Sequence, residues 1–360
     1  MENRVYNFSA GPATLPLSVL EKVREELLNY RGEGMSVMEM SHRSKTYDDI
    51  INRAVASTKK VMNIGDDYTV LFLQGGATGQ FAAVPLNLAL PGKPALYVNT
   101  GAWSKKAIAE AKKLGIEHKV IASSDDKNFT YIPKSIEVES DASYVHITSN
   151  NTIFGTQWPT YPDTGDVPLV VDMSSDLYCR RFDPNQFGLI YAGAQKNAGP
   201  AGVTIVIIRN DLLERSHDDI PTILNYKIYA EKNSLYNTPN TFGIYVVGMV
   251  MDWILEQGGI DEVEKKNRKK AELLYKAIDE SEFYRGTAEK EDRSLMNVTF
   301  RLPSEDLEKQ FVAEATQAGL VGLKGHRSVG GIRASIYNAM PYEGVEALVN
   351  FMKEFEKKNG

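Results

Sequence analysis

The stretch Phe187-Gly188-Leu189-Ile190-Tyr191-Ala192-Gly193-Ala194-Gln195-Lys196-Asn197-Ala198-Gly199-Pro200 decides the fold. A short apolar run ends in small residues, and a lysine follows at once in a turn rich in glycine and proline. Such an unbroken run fits a strand covered on both faces, as in a parallel sheet. A lysine held at the end of that strand loses solvation, which disfavours its ammonium and leaves a neutral, nucleophilic amine. That is what a lysine needs in order to bond a carbonyl compound reversibly. Taken alone, a strand-end lysine is more often a solvated loop residue, so the rest of the chain has to decide.

Outward from this stretch, short apolar runs alternate with helical patterns. Expected strands are Thr69–Leu73, Ala95–Asn99, Lys119–Ala122, Ser143–Thr148, Leu169–Asp172, Leu189–Ala192 and Val203–Ile208. Helices are expected at Ser18–Tyr30, Tyr47–Met62, from Thr78, and at Trp103–Leu114. Pro85 removes a backbone donor inside the third, so that helix should be kinked or short. The alternation predicts an α/β fold with a mostly parallel seven-stranded sheet flanked by helices. After Gly258-Gly259 the character changes. A Lys/Glu-rich helix at Ile260–Asp279, with Val263, Leu274 and Ile278 on its buried face, leads into a strand (Asn297–Leu302), a helix (Glu305–Ala318), a strand (Gly331–Tyr337) and a closing helix (Val345–Glu356). The expected division is a large α/β domain over 16–257 and a smaller α+β domain built from 1–15 together with 258–360.

The 360 residues carry 41 Lys+Arg against 47 Asp+Glu, a net charge of −6 that gives no overall basic field for nucleic acid or anionic lipid. An anionic substrate would need a local cluster of cations. One cysteine, Cys179, excludes an intrachain disulfide and fits a reducing compartment. It stands beside Arg180 and Arg181, which could lower its pKa, but without an adjacent base it reads as a structural thiol. No apolar stretch is long enough to span a bilayer, and a cytoplasmic protein is expected.

Three further motifs carry chemistry. Gly75-Gly76-Ala77-Thr78-Gly79-Gln80 follows a strand and opens a helix. Small residues there let backbone N–H groups approach an anion, and the helix N-terminus favours negative charge. With no Gly-Lys-Ser/Thr following, one phosphate fits better than a nucleoside triphosphate. Asp172 ends the run Leu169-Val170-Val171 on the ligand-binding edge of a parallel sheet. Beside a pyridine nitrogen it would keep that nitrogen protonated, and in a bland role it would cap a helix. Trp103, after Asn99-Thr100-Gly101-Ala102, could stack on a planar ring or staple a core. A phosphate cup, a stacking aromatic, a strand-end aspartate and a strand-end lysine, in that order, amount to a pyridoxal phosphate site.

With those residues in place, the chain resembles the phosphoserine aminotransferase family, pyridoxal-phosphate-dependent class-V aminotransferases of fold type I, over essentially its whole length. The resemblance rests on Tyr6–Pro12, Met40-Ser41-His42-Arg43, Gln80–Asn87, Tyr191–Gly202 and Gly325–Met340. It implies that Lys196 bonds the cofactor, Asp172 faces the pyridinium, Trp103 stacks on the ring and Thr152 neighbours the phenolic oxygen. Gly76, Ala77, Thr78 and Gln195 match cofactor contacts. Asn237 and Thr238 match a pair that reaches the cofactor phosphate from the other subunit, which implies a homodimer with shared sites. Some members carry arginine where this chain has Ala77-Thr78, so the phosphate grip here should lean on backbone donors and a hydroxyl.

The implied reaction moves the amino group of glutamate to 3-phosphohydroxypyruvate, giving O-phosphoserine and 2-oxoglutarate, in serine biosynthesis. A phosphorylated keto acid carries about three negative charges near neutral pH, which planar guanidinium groups answer. Arg333 is expected on the α-carboxylate, with His42, Arg43, His326 and Arg327 on the distal anion and Ser9 as a further substrate contact. No metal is expected. Whether the phosphorylated 3-hydroxy-2-oxobutanoate of vitamin B6 synthesis is a second substrate stays open at this point. The rivals are an alanine- or serine–glyoxylate-type aminotransferase, a cysteine desulfurase for which Cys179 lies in the wrong context, and a non-catalytic anion-binding protein that keeps the fold.

Overall fold

The computed structural model describes residues 4–360. Seven strands form one sheet in the order Tyr68–Leu73, Thr204–Arg209, Leu189–Gly193, Leu169–Asp172, Tyr144–Thr148, Ala95–Asn99, His118–Ser123. Only Thr204–Arg209 runs against its neighbours. The strand sequences explain the placement. Successive side chains point to opposite faces, so Val171 and Ile190 enter one core while Val170 and Leu189 enter the other. All four are at most 1% exposed. Burying each such side chain contributes about 1.5–3 kcal/mol. Helices Lys45–Met62 and Thr241–Glu256 cover the first face, and Gly76–Leu88 and Ala102–Lys113 cover the second.

A separate core gathers Phe300, Phe311, Ile332, Leu348 and Phe355 from the later part of the chain, and Phe8 from its beginning. Its antiparallel sheet runs Arg285–Gly286, Asn297–Arg301, Ile332–Ser335. The two-residue strand Tyr6–Asn7 pairs in parallel with Leu320–Val321. Helices Ile260–Asp279, Glu305–Gln317 and Tyr342–Asn359 complete this body, and Val263, Leu274 and Ile278 are buried as their spacing predicts.

Three local expectations need correction. The first long helix stops at Glu26, because Asn29 turns the chain by accepting the Gly34 N–H at 2.7 Å, and a single 3-10 turn at Tyr30–Gly32 follows. Pro85 does not shorten its helix, which continues to Leu88. The proline opens the last turn, where only one donor is lost. Helix Thr241–Glu256 was not expected at all. It is apolar almost all round, so it shows no stripe of period 3.6, although Asn240 caps it by accepting the Gly243 N–H at 2.9 Å.

Candidate active site

The turns that bear the candidate residues all leave the same edge of the large sheet. Leu73 leads to Gly75, Asn99 to Trp103, Thr148 to Thr152, and Gly193 to Lys196, while Asp172 is itself the last residue of its strand. This is the edge where parallel sheets bind ligands.

Lys196 is largely enclosed, and its Nζ donates to the carbonyl oxygen of Ala10. Burial, assisted by the nearby Arg333 guanidinium and opposed by Asp172, brings its amine down to about 8. The Ser9–Pro12 loop lies directly against it. A Cβ on Gly11, whose φ is +146°, would come within 2.7 Å of Nζ and 2.8 Å of Cε. Only glycine lets the loop backbone pass this close to the lysine.

Asp172 is 5% exposed and accepts the Ser174 N–H at 2.9 Å. Burial pushes its carboxyl up to about 6, against the two Ser174 hydrogen bonds. Near neutral pH it is therefore still a carboxylate, but one that gains from a cationic partner.

Trp103 sits in the first turn of helix Ala102–Lys113. Ser104 fixes that turn by accepting the Thr100 and Gly101 N–H groups, each at 3.0 Å. The indole N–H donates to Thr152 Oγ1 at 3.1 Å, which joins two residues that the sequence could only place separately.

At the glycine turn, Gly75 and Gly76 have φ of +91° and +62°, and the first helical bond runs from Gly79 N–H to the Gly75 carbonyl. The N–H groups of Gly76, Ala77 and Thr78 have no partner among the described residues. No side chain caps this helix, so its start is open to an anion. Gln195 folds its side chain against Gly193, and its carbonyl accepts the Ala13 N–H at 2.8 Å.

Arg333, on strand Ile332–Ser335, donates through Nη1 to the Thr152 carbonyl at 3.1 Å, while its buried Nε has no partner. A guanidinium with a spare buried donor can receive a carboxylate. Arg333 and His326 also line a cleft of about 790 Å³, with Phe154 and Lys105 on one side and Thr299 and Arg301 on the other. Burial, with Arg333, Arg327 and Lys106 close by, lowers the His326 pKa. Its Nδ1 accepts the Ser328 N–H at 3.2 Å. The His326–Arg327 loop is pinned from below. Gly331 N–H donates to Glu308 Oε2 at 3.1 Å, Arg301 Nη1 donates to the Val329 carbonyl at 3.0 Å, and a Cβ on Gly325 would lie 2.0 Å from the Gly330 carbonyl oxygen. Ser9 lies beside Gly322 in the loop that continues to Gly11.

His42, Arg43, Asn237 and Thr238 lie on two segments, one leading into helix Lys45–Met62 and the other into helix Thr241–Glu256. Tyr47, just past His42-Arg43, donates its hydroxyl to the Thr241 carbonyl at 3.4 Å, which sets the starts of helices Lys45–Met62 and Thr241–Glu256 side by side. His42 Nε2 is buried without a partner, and Arg43 is exposed. Thr238 offers its carbonyl to Gln74 Nε2 at 3.4 Å, and Asn237 Oδ1 accepts from the Tyr229 hydroxyl at 2.6 Å.

Cys179 is wholly buried, and burial drives its thiol up to about 12. The neighbouring arginines do not activate it. Arg180 spends Nη1 on the Pro159 carbonyl at 2.7 Å, and Arg181 pairs with Asp261. Sequence reading missed Ala10 as the group that holds Lys196, because a backbone carbonyl leaves no side-chain signal.

Residues 5–348 match the model of the family described as aminotransferase class-V. Among curated proteins, the phosphoserine aminotransferase of Desulfatibacillum aliphaticivorans is 61% identical over the whole of both chains, and that of Geobacillus kaustophilus is 58% identical over 99% of each. Among solved structures, phosphoserine aminotransferase from Bacillus circulans subsp. alkalophilus superposes with a TM-score of 0.97 at 54% identity, covering 99% of each chain. A pyridoxal-phosphate-bound phosphoserine aminotransferase from Trichomonas vaginalis gives 0.93 at 39% identity, over 97% of this chain and all of that one.

Proposed function

The chain belongs to the class-V aminotransferases, pyridoxal-phosphate enzymes of fold type I, and we propose that it moves the amino group of glutamate to 3-phosphohydroxypyruvate, reversibly, yielding O-phosphoserine and 2-oxoglutarate. The observation that carries this reading is the enclosed Lys196 amine at the sheet edge, brought down to about 8 and flanked by Asp172 and Arg333.

The residues present fit pyridoxal phosphate. The open helix start at Gly76–Thr78 suits its phosphate, Asp172 suits a ring nitrogen that must carry a proton, and Trp103, fixed through Thr152, offers a flat face. When bound, the cofactor supplies an aldehyde that takes up the amino group and a ring that accepts the charge left when the α-carbon loses its proton. The chain does the rest. Lys196 would hold that aldehyde covalently, and its Nζ, once freed by a substrate amine, would be the base that carries the proton away from the α-carbon. The Ala10 carbonyl keeps that nitrogen in place. Asp172 remains ionised and holds the opposing proton. Arg333 binds the α-carboxylate and so fixes which bond faces Lys196. His326 and Arg327 receive the distal anion, the phosphate of one substrate or the side-chain carboxylate of the other.

We assign His42, Arg43, Asn237 and Thr238 to the site of a second copy in a homodimer. Support comes from the starts of their two helices lying side by side and from exposed apolar side chains nearby in sequence, Met35, Met38 and Tyr236. A role in vitamin B6 synthesis stays with the substrate test below. Among the described residues, no helix is long and apolar enough to cross a membrane.

A panel of keto acids with glutamate as donor tests the reading: 3-phosphohydroxypyruvate, the phosphorylated 3-hydroxy-2-oxobutanoate, pyruvate, glyoxylate and oxaloacetate. Turnover should be confined to the phosphorylated acceptors. Faster turnover of glyoxylate or pyruvate would replace this function with that of a small-substrate aminotransferase.

A further inference from the structure

A second lysine, Lys270 on helix Ile260–Asp279, is 2% exposed and has no carboxylate partner among the described residues. Four backbone carbonyls converge on its Nζ instead: Tyr337 at 2.7 Å, Met340 at 3.0 Å, Ile336 at 3.1 Å and Asn338 at 3.5 Å. Four like dipoles in so small a volume repel one another and favour a cation at their centre, while burial opposes it and brings the Lys270 amine down to about 7. The caged segment follows directly on strand Ile332–Ser335, which carries Arg333.

The cage reaches Lys196 by two routes. The Tyr337 hydroxyl donates to the Ala10 carbonyl at 2.7 Å, and Lys196 Nζ donates to that same oxygen. The Asn338 N–H donates to Asn197 Oδ1 at 3.0 Å, one residue beyond Lys196. Asn267, one turn before Lys270, steadies Asn338 by donating to its Oδ1 at 2.7 Å.

We propose that Lys270 is a positioning residue for the transamination proposed above: its ammonium is the resident cation of the Ile336–Met340 carbonyl cage and, through Tyr337 and Ala10, sets the place and basicity of the Lys196 amine. Removing the cation releases the cage, lets Tyr337 withdraw from Ala10, and frees the carbonyl that now competes for Lys196.

The test uses holoenzyme reconstituted with pyridoxal phosphate and reads the pH midpoint of the absorbance change of the Lys196-bound cofactor, alongside kcat and KM. Lys270→Met keeps the volume without the charge, Lys270→Ala leaves space, and Tyr337→Phe breaks the relay while keeping the cage. A displacement of this kind costs about tenfold to a hundredfold in kcat. All three variants should shift the midpoint in the same direction. Potassium chloride should return Lys270→Ala toward wild type, since potassium can replace the ammonium among the carbonyls, whereas tetramethylammonium chloride at equal ionic strength should not. Unchanged midpoints overturn the proposal, and if the Lys270 variants do not fold, an unchanged midpoint in Tyr337→Phe alone does so. A shift in Lys270→Ala that potassium leaves in place assigns the effect to lost packing and also overturns it. Wild-type turnover of phosphohydroxypyruvate beside unchanged variants removes only the role of Lys270. A wild type without turnover removes the functional reading, and this inference with it.

Discussion

The depressed amine of Lys196 predicts how fast apoprotein captures its cofactor, and how that speed varies with pH. Only the neutral amine attacks an aldehyde. With the amine at about 8 rather than its ordinary 10.5, the neutral share at pH 7 is about 9% instead of about 0.03%, a gain of about 300-fold. Stopped-flow absorbance of apoprotein mixed with pyridoxal phosphate should show a capture rate that climbs about tenfold per pH unit below 8 and flattens above it. Borohydride trapping and mass spectrometry would place the adduct on Lys196, with N-acetyl-lysine as the unperturbed comparison. Arg333→Gln removes a positive neighbour, which favours the ammonium, so its profile should move to higher pH and its rate at pH 7 should fall. A wild-type profile that is half-maximal near pH 10, or an Arg333→Gln profile that moves downward, would refute the reasoning.

Asp172 predicts a stability change of known sign. Its carboxyl titrates at about 6 in the folded chain against 3.8 when exposed, so the folded state keeps its proton longer and stability falls as pH rises from about 4 through 6. Above that window the buried charge costs about 3 kcal/mol, so Asp172→Asn apoprotein should be more stable than wild type by up to that amount at pH 8 and scarcely different at pH 3.5. Denaturant titrations at the two pH values check this, while turnover of the holoenzyme should fall. Gly11→Ala should cut cofactor capture at least about tenfold, because its Cβ displaces Lys196 and its φ of +146° adds strain of about 1–3 kcal/mol. Gly92→Ala, at φ +72° with open space around it, is the matched control, and equal capture by both variants would show that the contact does not matter. Arg327→Ala should raise KM for 3-phosphohydroxypyruvate by about 10- to 100-fold, the worth of a charge-assisted hydrogen bond. A fall in kcat alone would contradict its binding role.

Much of this site is written in local sequence, and the rest is not, for definite reasons. Asp172 and Lys196 are legible because each ends an apolar run, and a polar residue at that boundary stands out. Gly75-Gly76 is legible because two adjacent glycines after a strand mark a left-handed turn. The Trp103–Thr152 bond joins residues 49 positions apart, and its partners come from separate turns. No spacing rule connects them. Helix Thr241–Glu256 escaped because a segment apolar almost all round carries no amphipathic signature. The Tyr6–Asn7 and Leu320–Val321 strands are too short for alternation to register. Lys270 lies within a run of lysines and glutamates that composition assigns to solvent, and only the tertiary structure shows it turned inward.

The pairing of Tyr6–Asn7 with Leu320–Val321, and of Ser335 N–H with the Phe8 carbonyl at 3.1 Å, governs how the molecule comes into being. During synthesis the first dozen residues leave the ribosome long before the segments that anchor them. Phe8 has no apolar neighbours until the last third of the chain emerges, and Ala10 has no Tyr337 to steady it. The large sheet can form around Lys196 while the carbonyl that will hold its amine still moves freely. Lys196 therefore meets the carbonyl that holds its amine, and that carbonyl meets Tyr337, only once the two ends of the chain have come together.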